Sequence, residues 1–143
     1  MAMITERSPA TARLVQALMT QKKLYVQLLE LAGRQSLHVA GGESEALMAV
    51  LAARNRIIDQ IVPLDQELQP YKGRWQELLD SLPAVDREIV AGLLKEVQQL
   101  LADILAHDER DKESLMRQKQ DVGTQITRTV TGAALNRAYG IRR

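Results

Sequence analysis

Residues 83–131 read PAVDREIVAGLLKEVQQLLADILAHDERDKESLMRQKQDVGTQITRTVT, and the spacing of their apolar side chains decides the fold. Leu93, Leu94, Val97, Leu100, Leu101, Ile104 and Leu105 recur at three- and four-residue steps, which places them on one face of a helix. The run His107-Asp108-Glu109-Arg110-Asp111-Lys112-Glu113 then interrupts the stripe, which resumes only as Leu115, Val122, Ile126 and Val130. Pro83 suits the opening of this helix, and Asp86 and Glu88 place negative charge at its positive end. Unbroken over 83–131, it would span roughly 70 Å at about 1.5 Å per residue. A helix with so thin a stripe in its second half needs cover from elsewhere.

Upstream lie its natural supports. Ser8-Pro9 is a helix start, with a capping hydroxyl ahead of a proline at the first helical position. Leu14, Leu18, Tyr25, Leu28 and Ala32 then repeat with a period near 3.5, Gln21 fills the missing seam position, and Leu24, Leu29 and Leu31 widen the stripe. This predicts helix one over 8–39. Gly41-Gly42 breaks it, and Glu43-Ser44-Glu45 suits the entry to helix two over 43–69, whose seam is Leu47, Leu51, Arg54, Ile58 and Ile61. So short a connection makes the two helices antiparallel neighbours. The pattern resumes directly after Pro63, which predicts a kink there and not an end. Pro70 and Gly73 are stronger punctuation, followed by a short helix over 74–81 in which Trp75 plugs the end of the hairpin.

The sequence therefore predicts a single all-α domain. An antiparallel hairpin and a long third helix over 83–131 form an elongated three-helix bundle or coiled coil, with residues 132–143 as a flexible basic tail. Hairpin helices of about 30 residues reach only about 45 Å, so the third helix is expected to overhang them. Residues up to Leu105 are assigned to the core and Leu115 onward to a partner. The competing reading has Leu115, Val122, Ile126 and Val130 packing on the far end of helix one. The run 107–113 is expected to be a solvated face, with pairs such as Asp108–Lys112 and Glu113–Arg117 each contributing about 0.3–0.5 kcal/mol.

Composition narrows the function. In 143 residues there is no Phe and one Trp, so core volume has to come from aliphatic side chains, which suits helix packing. A net charge of +1 argues against nucleic-acid binding. Absence of Cys excludes disulfides and thiolate metal sites. No window reaches the roughly 18 apolar residues of a membrane span, and the opening residues do not form a signal peptide. These features predict a soluble cytoplasmic protein that is not an enzyme and carries no cofactor or metal. His38 and His107 lie outside any HExxH or Glu-x-x-His arrangement. Leu37-His38-Val39-Ala40-Gly41 faintly matches a histidine phosphotransfer motif, but the lysine is missing and a histidine near a helix C-terminus is favoured by the dipole alone.

Several of these stretches together resemble the FlgN-type flagellar export chaperones of the type III secretion system. They are Leu37-His38-Val39-Ala40, Gly41-Gly42, Glu45-Ala46-Leu47 with Leu51, and Arg54-Asn55-Arg56-Ile57-Ile58, then the long polar third helix and a tail holding Tyr139-Gly140. His107-Asp108-Glu109-Arg110 stands where many family members have an Asn-containing pattern, and only three residues follow Gly140. The resemblance implies binding without catalysis. The chain would hold the helical termini of hook–filament junction (hook-associated) proteins, prevent their premature assembly, and deliver them to the export gate. Leu115, Val122, Ile126 and Val130 are the cargo-binding candidates, and Tyr139 is the candidate contact for the export gate receptor. An oligomeric coiled-coil adaptor, with the third helix pairing with a second copy, is the alternative, and phosphotransfer through His38 stands third.

Overall fold

The computed structural model describes residues 7–118, and these are all-helical. Helix α1 is Pro9–Ala40, α2 is Ser44–Glu67 and α3 is the short Trp75–Ser81; α4, the expected long helix, is Ala84–Arg117. A 3-10 turn at Gln69–Tyr71 links α2 to α3. The hairpin-plus-long-helix architecture is as the periodicity predicts, with α1 packed along both α2 and α4. Residues 119–131 of the expected third helix, and the tail at 132–143, lie outside the described residues.

Local signals act where the sequence places them. The Ser8 hydroxyl accepts a hydrogen bond from the Thr11 amide at 3.1 Å, satisfying one of the donors left free at the start of α1. At its other end the Glu43 amide donates to the His38 carbonyl at 2.9 Å and the Gly42 amide to the Val39 carbonyl at 3.2 Å. With Gly42 at φ +66°, this is a Schellman closure, and it reverses the chain into α2. Helix α2 runs on through Pro63.

The register between helices follows from their side-chain pairs. Arg7 bonds Asp86, Lys22 pairs with Glu96, Ser36 meets His107, and Gln118 reaches the Val39 carbonyl. Both partners advance together, so α4 runs parallel to α1. Across the hairpin, Arg54 meets Asp108 while Leu47 and Leu51 meet Leu115, so α2 is antiparallel to both. With 32 and 34 residues, α1 and α4 are about 48 and 51 Å long, and they start and finish together. Within the described residues α4 is thus supported along its whole length, and the expected overhang does not arise there.

The main core is aliphatic, as the absence of Phe requires. Leu14, Leu18, Leu28, Val90, Leu94, Val97, Leu101 and Ile104 form its axis. Trp75 is buried against it and stacks on Tyr71 with ring centroids 5.8 Å apart, the plug expected at this end of the hairpin. Leu79 and Leu82 fill the same end.

Two glycines with opposite roles give a test of this backbone description. Gly42 is in the left-handed region, whereas Gly92 lies inside α4 with open space where a Cβ would stand. Gly42→Ala is expected to destabilise by about 1 kcal/mol, and Gly92→Ala to stabilise by about 0.5–1 kcal/mol. Urea unfolding of the two variants checks the opposite signs.

Candidate functional site

The charged run is solvated on one side only: Glu109, Arg110 and Glu113 are exposed, as expected, but two of its acids turn inward. Asp108 and Asp111 are buried, because 104, 108, 111 and 115 continue the inward stripe of α4 at steps of four, three and four. They meet two other polar residues in seam positions, Gln35 of α1 and Arg54 of α2, each at most 1% exposed. Arg54 donates to both carboxylate oxygens of Asp108, Nη1 to Oδ1 at 2.7 Å and Nη2 to Oδ2 at 2.8 Å, the two-pronged geometry that fits a guanidinium to a carboxylate. The Gln35 Oε1 accepts from Arg54 Nη1. Its Nε2 donates to Asp108 Oδ1 at 3.1 Å and to Asp111 Oδ2 at 2.7 Å. Only this orientation of the amide points its oxygen at the cation and its hydrogens at the anions. The Arg54 Nε is buried with no hydrogen-bond partner, an expense of about 1–3 kcal/mol that the rest of the layer offsets.

On its outer side the layer continues to a half-buried histidine. The Ser36 hydroxyl donates to Asp111 Oδ2 at 2.8 Å and lies 2.9 Å from the His107 Nδ1. Its single proton is committed to Asp111, so Nδ1 carries the hydrogen and donates to the Ser36 oxygen. In this direction the imidazole cannot take the serine proton as a general base does in nucleophilic catalysis. The trio is a structural relay that anchors the edge of α4 to α1.

Beyond the polar layer a second apolar cluster closes the hairpin end, formed by Val39, Leu47, Leu51 and Leu115. Leu115 is 1% exposed, which overturns the division of α4 drawn at the charged run. The protein's own core extends past 107–113, and Leu115 faces α1 and α2 and no outside partner. The other three cargo candidates, Val122, Ile126 and Val130, and the export-gate candidate Tyr139, lie outside the described residues. His38 sits in the last turn of α1 with its Nδ1 3.2 Å from Glu43 Oε1.

Exposed apolar side chains lie on all three long helices, with Met48 and Val62 on α2, Val85, Ile89 and Met116 on α4, and three on α1. Met19, Val26 and Leu37 are 52, 39 and 71% exposed and share one outward stripe with Gly33, at steps of seven, seven and four. Near its start, Met19, Lys22, Lys23 and Val26 line a groove with Leu93 of α4, and Val85 and Ile89 of α4 are also exposed. Sequence reading passed over this stripe because the buried side of α1 is itself broad, and a leucine count alone does not separate the two. The seven-residue return of Met19, Val26 and Gly33 is the signal that was there.

Among the described residues no group of three or more His, Cys, Asp or Glu is arranged to hold a metal, and no helix is long and apolar enough to cross a membrane. Compared with models of protein families, with curated proteins and with solved structures, the chain has no match.

The polar layer makes a distinctive thermodynamic prediction. Arg54→Met leaves Asp108 buried without its cation, Asp108→Leu leaves Arg54 without its anion, and each is expected to cost about 3–5 kcal/mol. The double variant Arg54→Met/Asp108→Leu is expected to be more stable than either single variant. Denaturant unfolding of all four chains reads the coupling; a double variant whose loss equals the sum of the two singles would rule out the pairing.

Proposed function

We propose that this protein is a non-catalytic helix-binding chaperone of the export type, which holds the amphipathic helical terminus of an assembly-prone partner. The observation that carries the reading is the outward face of α1, about 48 Å long, on which the exposed Met19, Val26 and Leu37 align with the half-buried Gly33 and the exposed Glu30. A partner helix laid along it would bury its own apolar face by the helix-in-groove mode, with anchors three, four and seven residues apart. A rigid polar layer beneath α1 suits this work, since a receiving surface that is already ordered loses little freedom on binding.

In this reading the partner is a hook–filament junction protein awaiting export in the cytoplasm, as the resemblance of the hairpin and tail implies. Val122, Ile126 and Val130 supply further apolar contacts, and Tyr139 meets the export gate receptor. Leu115 has no direct role. The same stripe also supports the adaptor alternative, in which a second copy of the chain takes the partner's place.

The two are separated by native mass measurement of the purified protein, alone and mixed with synthetic helical termini of hook–filament junction proteins. A one-to-one complex is expected. Leu37→Asp and Ile126→Asp are each expected to weaken it at least ten-fold without lowering the melting temperature, whereas Val97→Asp, at a fully buried position, unfolds the bundle. Self-association with no uptake of any terminus would sink the chaperone reading.

A further inference from the structure

Where the start of α1 meets the end of α2, away from the Gly41-Gly42 reversal, the bundle holds a cavity of about 180 Å³. Leu14, Ala17 and Leu68 give it an apolar floor, each at most 4% exposed. Tyr71 lines its side, and the exposed Arg13 and Glu67 stand at its mouth. The wall that carries Tyr71 is firmly held. Its ring stacks on the buried Trp75, and the neighbouring Lys72 pairs with Asp65 of α2 at 2.6 Å. The cavity is therefore formed before anything enters it, as ligand sites usually are.

The two charges at the mouth are set against their own helices. Glu67 is the last residue of α2, an end that favours a cation, and no basic residue stands in that turn. Arg13 lies near the start of α1, an end that favours an anion. Neither has a hydrogen-bond or ion-pair partner among the described residues. Charges that break a local rule with no compensating contact point to a role other than stability.

We propose that this cavity binds a small aliphatic α-amino acid as its zwitterion. The Arg13 guanidinium takes the carboxylate, for which its paired N–H donors are suited. Glu67 takes the ammonium group, with the Tyr71 ring as a second attraction for a cation. The aliphatic side chain covers Leu14, Ala17 and Leu68. Both charges stand at the exposed mouth and the apolar surface lies beneath them, which matches a molecule whose two charges share one carbon. The helix ends add to the same field, since the positive start of α1 adjoins Arg13 and the negative end of α2 adjoins Glu67. The volume lies below the roughly 300–1,000 Å³ of sites for drug-sized ligands, so the fit is to a smaller molecule. This site does not depend on the chaperone reading, and either can fail without the other.

Titration of the isotope-labelled full chain, followed by amide and methyl NMR shifts, tests the assignment with four probes. They are L-leucine, 4-methylpentanoate without the ammonium group, isoamylamine without the carboxylate, and the uncharged N-acetyl-L-leucinamide. L-leucine is expected to give saturable shifts centred on Ala17, Leu68 and Tyr71 at millimolar concentration, and each of the other three to bind at least ten-fold more weakly. Arg13→Gln and Glu67→Gln are each expected to weaken L-leucine at least ten-fold with no loss of melting temperature, since both side chains are exposed. Lys23→Gln, outside the cavity, is expected to leave binding unchanged. Absence of saturable shifts with L-leucine would overturn the proposal. So would equal binding of N-acetyl-L-leucinamide, which would make the cavity a socket for an apolar side chain of a protein partner. Binding of L-leucine that survives both Arg13→Gln and Glu67→Gln would overturn it as well.

Discussion

The two-pronged bond from Arg54 to Asp108 is the interaction on which the arrangement of the three long helices depends. Each helix contributes a polar residue to this layer of a largely aliphatic seam: Gln35 from α1, Arg54 from α2 and Asp108 from α4, with Asp111 one turn on. Aliphatic seams are tolerant, since leucine packs against leucine nearly as well after a slip of one turn. A buried guanidinium is not. Moved one turn along α4 towards Ile104 it would leave two uncompensated charges in the core, each a loss of about 3–5 kcal/mol, comparable to a large share of a domain's stability. The layer also divides the interior, with the main core on one side and the Val39, Leu47, Leu51 and Leu115 cluster on the other.

With that register set, the rest of the surface follows. α4 runs parallel to α1, beginning near Arg7 and ending near Val39, and α2 runs back between the two ends. α1 thus has neighbours on two sides and an apolar stripe on a third. The long, firmly held helix with a partly apolar outer face is the property that links this fold to helix binding. It arises from the parallel pairing of α1 and α4, which in turn rests on the polar layer.

Much of this architecture was legible in the residues. The capping Ser8-Pro9, the Gly41-Gly42 reversal and the Leu-rich seams located the helices and the hairpin, because each is a local signal with a local physical cause. Trp75 could be placed as a plug for the same reason, as a large apolar side chain between two turns. The burial of Asp108 and Asp111 is hidden in the sequence because their charge suggests solvent while their position in the repeat points inward. The clue was present on another helix. Arg54 already stood in the seam of α2, and a buried cation demands an anion opposite it. Such a demand is a non-local fact, visible only once two helices are laid side by side. Leu115 was misassigned as a consequence, since the polar interruption hid the continuation of the inward stripe. The outward stripe of α1 escaped notice because Met19, Val26 and Leu37 are single apolar residues among polar neighbours, and exposure of that kind is ordinary until a structure shows that they align.

The claim that the polar layer dictates register is tested most directly by distances between spin labels at the exposed positions Lys23→Cys on α1 and Lys95→Cys on α4. They would be measured in the otherwise native chain and in one whose layer is made apolar by Gln35→Leu, Arg54→Met, Asp108→Leu and Asp111→Leu. The account predicts one narrow distance in the native chain, and a broadened or split distribution in the apolar-layer chain even though it stays helical. An equally narrow distribution at the same distance in both chains would contradict it, and would assign the register to the aliphatic packing alone.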